Sequence, residues 1–198
     1  MGSNRLIDLA DHSSPGAQAT LDIDLGALAD NWRRLAARAA PGECAAVVKA
    51  DAYGLGIGAA APALTNAGAR TFCVAHLSEA LRVRALAPRA TIYLLNGLPP
   101  ADVAALAPAR IRPVLGSLEQ IARWRAAGAG PCAVQIDTGM NRFGLSCADA
   151  ATLHPGDLEA LGVELLITHF VASEEPGNPL NAGQIAAFEA ARARFLDS

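Results

Sequence analysis

Charge is scarce, aromatic residues are few and long apolar runs are missing, and each shortage removes a class of function. Charged residues fill 18% of the 198 positions, below the roughly 25% usual in soluble domains. Sixteen basic residues face 19 acidic ones for a net charge of −3. No block of five like charges offers a footprint for nucleic acid or for a membrane surface, so neither is an expected partner. No stretch reaches the ~18 uninterrupted apolar residues of a membrane span, and the N-terminus lacks the basic-then-apolar pattern of a secretory signal. A cytoplasmic location is the expectation. The four cysteines, Cys44, Cys73, Cys132 and Cys147, stand singly. Without a C-x-x-C pair or a histidine cluster no metal site is expected, and each is read as a small hydrophobe in the core.

Hydrophobic residues are abundant, at 52%, enough for a sizeable buried core. Residues 1–18, with Ser13, Ser14, Pro15 and Gly16, show no sustained periodicity and read as a tail of low order, leaving 19–198 as the folded domain. Thr20 to Asp24 alternates as a short strand. Leu25, Leu28, Trp32 and Leu35 then recur at helical spacing until Pro41-Gly42. From Val47 onward strand and helix alternate, with strands centred on Val47, Phe72, Ile92, Val114, Val134 and Leu165. Ser117 to Gln120 fits a capping box, with Leu118, Ile121 and Trp124 as the buried face of the helix that follows. A short helix over Asp149 to Leu153 and a last helix capped by Asn181 to Gln184, with Ile185, Phe188 and Phe195 inward, complete the series.

Six such β/α units imply a parallel sheet covered by helices. A barrel closes at eight units and ~250 residues, whereas an open doubly wound sheet can stop at five or six. Length favours the open sheet. The strand ends favour the barrel, because Lys49, Asn96, Asp137 and His169 all fall at strand C-termini, although an open sheet gathers ligands at the same edge.

Three stretches carry chemistry. Val47 to Gly56 delivers Lys49 from an apolar strand into a turn containing Asp51, Tyr53, Gly54, Gly56 and Gly58. A strand-end lysine can simply reach into solvent. One set in apolar surroundings beside a ligand-sized turn suits a carbonyl cofactor held as a Schiff base, with the Tyr53 hydroxyl available to a phosphate. Val134 to Gly144 places Arg142 after a glycine-containing loop, either as a surface charge or as a planar fork for a carboxylate or phenolate. Leu165 to Phe170 ends in His169, either a structural histidine or a proton carrier.

Together the segments Val48-Lys49-Ala50-Asp51-Ala52-Tyr53-Gly54, Asp137-Thr138-Gly139-Met140-Asn141-Arg142-Phe143-Gly144, Thr168-His169-Phe170 and Glu174 to Gln184 resemble the alanine racemases. These are pyridoxal-phosphate enzymes built on a (β/α)8 TIM-type barrel with an additional β domain. The resemblance runs from about Leu21 to Phe195. It implies an α/β barrel truncated here to about six units, without the C-terminal β domain. It also implies pyridoxal 5'-phosphate as cofactor, alanine as substrate, a homodimer and D-alanine supply for the cell wall. By the same resemblance Lys49 carries the cofactor as an internal aldimine and is one of two bases, Tyr53 contacts the phosphate, Arg142 orients phenolate and substrate carboxylate, and His169 belongs to the network that tunes the second base.

Two departures follow. Many family members have a carbamylated lysine two positions before the Asp-Thr-Gly motif, where this chain has Gln135, so Arg142 is expected to be held by Gln135 or by an anion. The second base of the family is a tyrosine from the β domain of the partner subunit, and only Tyr53 and Tyr93 occur here. The chain is therefore expected to be inactive alone. A non-catalytic pyridoxal-phosphate carrier protein and an inactive truncated fragment are the alternatives.

Overall fold

A computed structural model describes residues 21–128 and 130–196; the expected tail over 1–18 lies outside them. Leu21 to Asp24 forms no strand. Among the described residues no strand lies beside it to pair with, and Asp24 instead caps α1 (Leu25–Ala39), its Oδ1 accepting from Ala27 N at 2.9 Å. This removes one of the amides a helix start leaves unpaired.

Then follow β1 (Ala46–Val47), the single turn α2 (Lys49–Tyr53), α3 (Ile57–Ala67), β2 (Thr71–Val74), α4 (Leu77–Leu86), β3 (Thr91–Leu94) and α5 (Val103–Leu106). The series continues with β4 (Arg112–Leu115), α6 (Leu118–Ala126), β5 (Cys132–Gln135), α7 (Cys147–Ala150), α8 (Pro155–Leu161), β6 (Val163–Ile167) and α9 (Pro179–Leu196). All six strands expected from the sequence are present, and they pair in parallel in the order β1-β2-β3-β4-β5-β6. The fold is α/β, six consecutive units of a β/α barrel, with β1 and β6 as the edges of the sheet.

Alternation along the strands divides the sheet into two faces. Phe72, Val74, Ile92, Leu94, Leu115 and Val134 pack with Ile57, Leu64, Val83, Ile121, Trp124 and Leu161 into one large core beneath the helices. Tyr93, Val114 and Ala133 form a second, smaller cluster with Cys73, Leu95, Phe143 and Ile167 on the opposite face. Val47, in the middle of an apolar run, is nevertheless 44% exposed, and among the described residues β1 pairs only with β2.

Local differences have similar causes. The helix α8 was not apparent in the sequence, since Pro155-Gly156 looks like a turn; here Pro155 opens the helix, where its missing N–H is no loss. Ser117 does accept from Gln120 N, but the Gln120 side chain accepts from Gly116 N rather than from Ser117 N. Leu118 and Ile185 are exposed, lying at the margins of their helices' buried stripes. Of the cysteines, Cys132 is buried, Cys44 and Cys73 are half-buried and Cys147 is exposed. Burial raises the Cys73 thiol to about 11 and the Cys132 thiol to about 12, with Glu43 and Glu164 respectively adding to the effect.

Candidate active site

Lys49, Asn96, Asp137 and His169 each lie two residues beyond the last residue of their strand. Parallel pairing therefore brings them to one edge of the sheet. Asn96 is exposed and has the parity of Ile92 and Leu94, which face the helices, so it is set apart from the other three.

Val48 is 1% exposed and its N–H extends the ladder to Cys73 O at 2.9 Å, anchoring the residue before Lys49. After the lysine the backbone turns left-handed. Ala50, Asp51, Ala52 and Tyr53 all have φ between 51° and 56°, a conformation costing non-glycine residues ~1–2 kcal/mol each. Bonds within the turn, Ala52 N to Val48 O and Gly54 N to Ala50 O, offset part of that.

Two carboxylates hold the turn from outside its backbone. Asp51 Oδ1 accepts from Ile57 N at 2.9 Å and pairs with Arg82 at 2.8 Å. The Ile57 amide, opposed by partial desolvation and assisted by Arg82, keeps the Asp51 carboxyl below the usual range. Glu79, from the first turn of α4, accepts from Ala50 N at 2.7 Å through Oε1 and from Ala75 N and His76 N at 2.8 and 3.0 Å through Oε2. Burial pushes Glu79 up, but the amides of His76, Ala75, Ala50 and Asp51 outweigh it and its pKa falls. The Tyr53 ring is exposed, its centroid 6.0 Å from Lys49 Nζ.

The arginine loop is built differently. Asp137 Oδ1 accepts from Gly139 N and Asn141 N, folding the loop on itself. Its base is closed by Asp137 N to Leu145 O and Leu145 N to Gln135 O, both 2.8 Å. Phe143 seats the loop on the sheet: a Cβ at Gly116 would meet its ring at 2.4 Å, so only glycine fits at the end of β4. Gly144, at φ +125°, turns the chain away where a Cβ would lie 2.9 Å from Asp137 N.

Gln135 and Gln184, the buried polar residues among those described, fasten this loop. Gln135 Nε2 donates to Phe143 O at 2.9 Å, so the residue at the family's carbamate position holds the backbone next to Arg142. Gln184 Nε2 donates to His169 O at 2.9 Å and to Thr138 Oγ1 at 3.3 Å, and its Oε1 accepts from Val171 N at 2.9 Å. The hydroxyls of Thr138 and Thr168 share a further bond of 2.8 Å. The loop carrying Arg142 and the segment carrying His169 are thus tied to one helix.

His169 lies near both cations. Desolvation lowers its pKa, and the charges of Arg142 and Lys49 lower it further. Among the described residues no carboxylate forms an ion pair with Lys49 or Arg142, which leaves two cations available to an anionic ligand beside an imidazole whose protonation they disfavour. No group of three or more His, Cys, Asp or Glu among the described residues is arranged to hold a metal ion.

A family model for the alanine racemase N-terminal domain matches residues 23–197. The chain belongs to the alanine racemase family. It is 54% identical over 190 residues to an alanine racemase of Methylobacterium nodulans, covering 92% of this chain and 50% of that protein. Over 193 residues it is 45% identical to one from Brucella abortus, covering 93% and 49%. A crystal structure of the Bartonella henselae alanine racemase with covalently bound pyridoxal phosphate superposes with a TM-score of 0.82 at 38% identity, over 87% of this chain and 52% of that one. The chain spans about half the length of the curated alanine racemases it matches.

The site therefore gathers Lys49, Tyr53, Arg142 and His169 along one edge. Sequence reasoning passed over a simpler signal: Lys49 is the only lysine in the chain, every other basic residue being arginine. It also passed over Glu79 and Gln184. Gln184 shares a helix face with Phe188, Ala191 and Phe195 by its spacing, and a glutamine heading an apolar stripe is a detectable oddity.

Proposed function

We propose that this chain provides the lysine side of an alanine racemase site that binds pyridoxal 5'-phosphate and alanine, acting in a cytoplasmic homodimer and making D-alanine for the cell wall. The observation that carries this reading is the meeting of the sole lysine, an arginine in no ion pair among the described residues and a histidine lowered by both charges at one strand edge. These residues fit the cofactor: an aldehyde finds one side-chain amine, and its anionic groups find Tyr53 and Arg142. Bound there, the cofactor supplies an electron-withdrawing ring that spreads the negative charge left on the substrate α-carbon when its proton is removed.

Lys49 would hold the cofactor in the resting site and, once the substrate amine has displaced its Nζ, would take or return the α-proton at that atom on one face. Arg142 presents its fork to the substrate carboxylate or the phenolate oxygen, and Tyr53 donates its hydroxyl to the phosphate. His169, kept neutral by its surroundings, joins the hydrogen-bond network without adding a third positive charge. The opposite face is assigned to a tyrosine of a partner subunit, so the chain alone is expected not to racemise alanine.

Reduction with borohydride in the presence of pyridoxal phosphate tests the central assignment. The expected result is a pyridoxyl tag on Lys49 by peptide mass spectrometry, lost in Lys49→Ala; a tag confined to the N-terminal amine would overturn it. Appearance of D-alanine from L-alanine in a dimer that carries the family's β domain separates this reading from a carrier protein, for which cofactor binds and no D-alanine forms.

A further inference from the structure

We infer that Glu79 is a positioning residue of the lysine site, its carboxylate clamping the Ala50 amide to the head of α4 and so setting where the Lys49 amine stands. The two oxygens divide the work. Oε2 takes Ala75 N and His76 N, the amides where β2 passes into α4, while Oε1 reaches across to Ala50 N, 29 residues away in sequence. The reach is short because β1 and β2 are paired, Val47 beside Cys73, so the chain leaving each strand emerges at the same corner.

A helix cap would need only Oε2. The bond from Oε1 has a different consequence, because Ala50 is the first of four residues in the left-handed region, where an L-residue stays only if its surroundings hold it. Lys49 lies directly between this clamped amide and the buried Val48. With both flanking residues fixed, the base of the lysine side chain has one position; with Ala50 released, the turn can relax and carry the amine with it.

The inference rests on the racemase reading for its ligand, pyridoxal phosphate, but not for the clamp itself. Two variants separate positioning from capping. Glu79→Gln removes the charge, and Glu79→Asp is one methylene shorter, able to serve Ala75 and His76 but not Ala50. Hydrogen exchange should quicken at Ala50 in both, with the α4 amides still protected in the aspartate variant. Affinity for pyridoxal phosphate, read by the yield of reduced tag at Lys49 against its concentration, should weaken roughly tenfold, the scale of one lost charge-assisted bond. Should Glu79→Gln fail to fold, Glu79→Asp decides. Unchanged Ala50 exchange in the aspartate variant overturns the clamp, and altered exchange with wild-type tagging of Lys49 overturns its role in positioning. If the wild-type chain is never tagged at Lys49, the cofactor reading fails on its own, and the exchange data still decide whether Glu79 holds the turn.

Discussion

The lysine turn and the arginine loop lie at the same sheet edge and are secured by opposite means. The turn, four left-handed residues long, is tied down by the carboxylates of Asp51 and Glu79. The loop folds on its own Asp137 but is fastened to the rest of the protein by two buried neutral amides, Gln135 and Gln184. A carboxylate binds backbone amides strongly and reaches them at a partly exposed position. An amide can be buried completely, because it carries no charge to desolvate and can donate as well as accept. The loop needs donors and acceptors at once, for Phe143 O and His169 O on one hand and Val171 N on the other; the turn offers only N–H groups.

The contrast is broken most severely by removing a glutamine. Gln184→Leu takes the side-chain partner away from His169 O and Val171 N, both on partly exposed residues, and a loss of ~1–2 kcal/mol in stability is expected from urea unfolding. A midpoint unchanged from the wild type would mean that Gln184 does not hold the loop. Acid should separate the two regions without mutation. The Glu79 carboxyl is lowered in the folded state, so its stabilisation is complete above its ordinary value of 4.5 and is lost as pH falls through the lower folded value. In an NMR titration from pH 7 downward, the Ala50 amide should shift with Glu79 only below pH 4.5, whereas the Val171 amide, bonded to Gln184, should show no carboxylate titration. Equal shifts at both amides would erase the distinction. Arg82→Ala should give the smallest effect. Its pair with Asp51 is about half exposed on both sides, so solvent screens it, and the thermal midpoint is expected to stay within error of wild type. A clear drop would show that the turn depends on Arg82 as well as on Glu79.

The six strands were legible because each is a short apolar run closed by glycine, proline or a polar turn, and parallel pairing in chain order asks for nothing further. Lys49, Tyr53, Arg142 and His169 could be proposed from the sequence because their local motifs are dense. Glu79 and Gln184 could not, since their partners lie 29 residues away at Ala50 and 46 at Thr138. Neither Ser78-Glu79 nor the Asn181 to Gln184 segment differs locally from an ordinary helix start. The left-handed turn was also hidden, as Ala50, Asp51 and Ala52 have no intrinsic preference for that region.

The sequence by itself determined the order of the β/α units and singled out the residues proposed to carry the chemistry, because periodicity, turn signals and short motifs act over a few neighbours. Only the tertiary structure decided how those residues are held. The Ala50 conformation, the lowered His169 and the burial of Gln184 each depend on groups that meet only after the sheet has formed, and their energies come from desolvation, charge and hydrogen bonding across that contact.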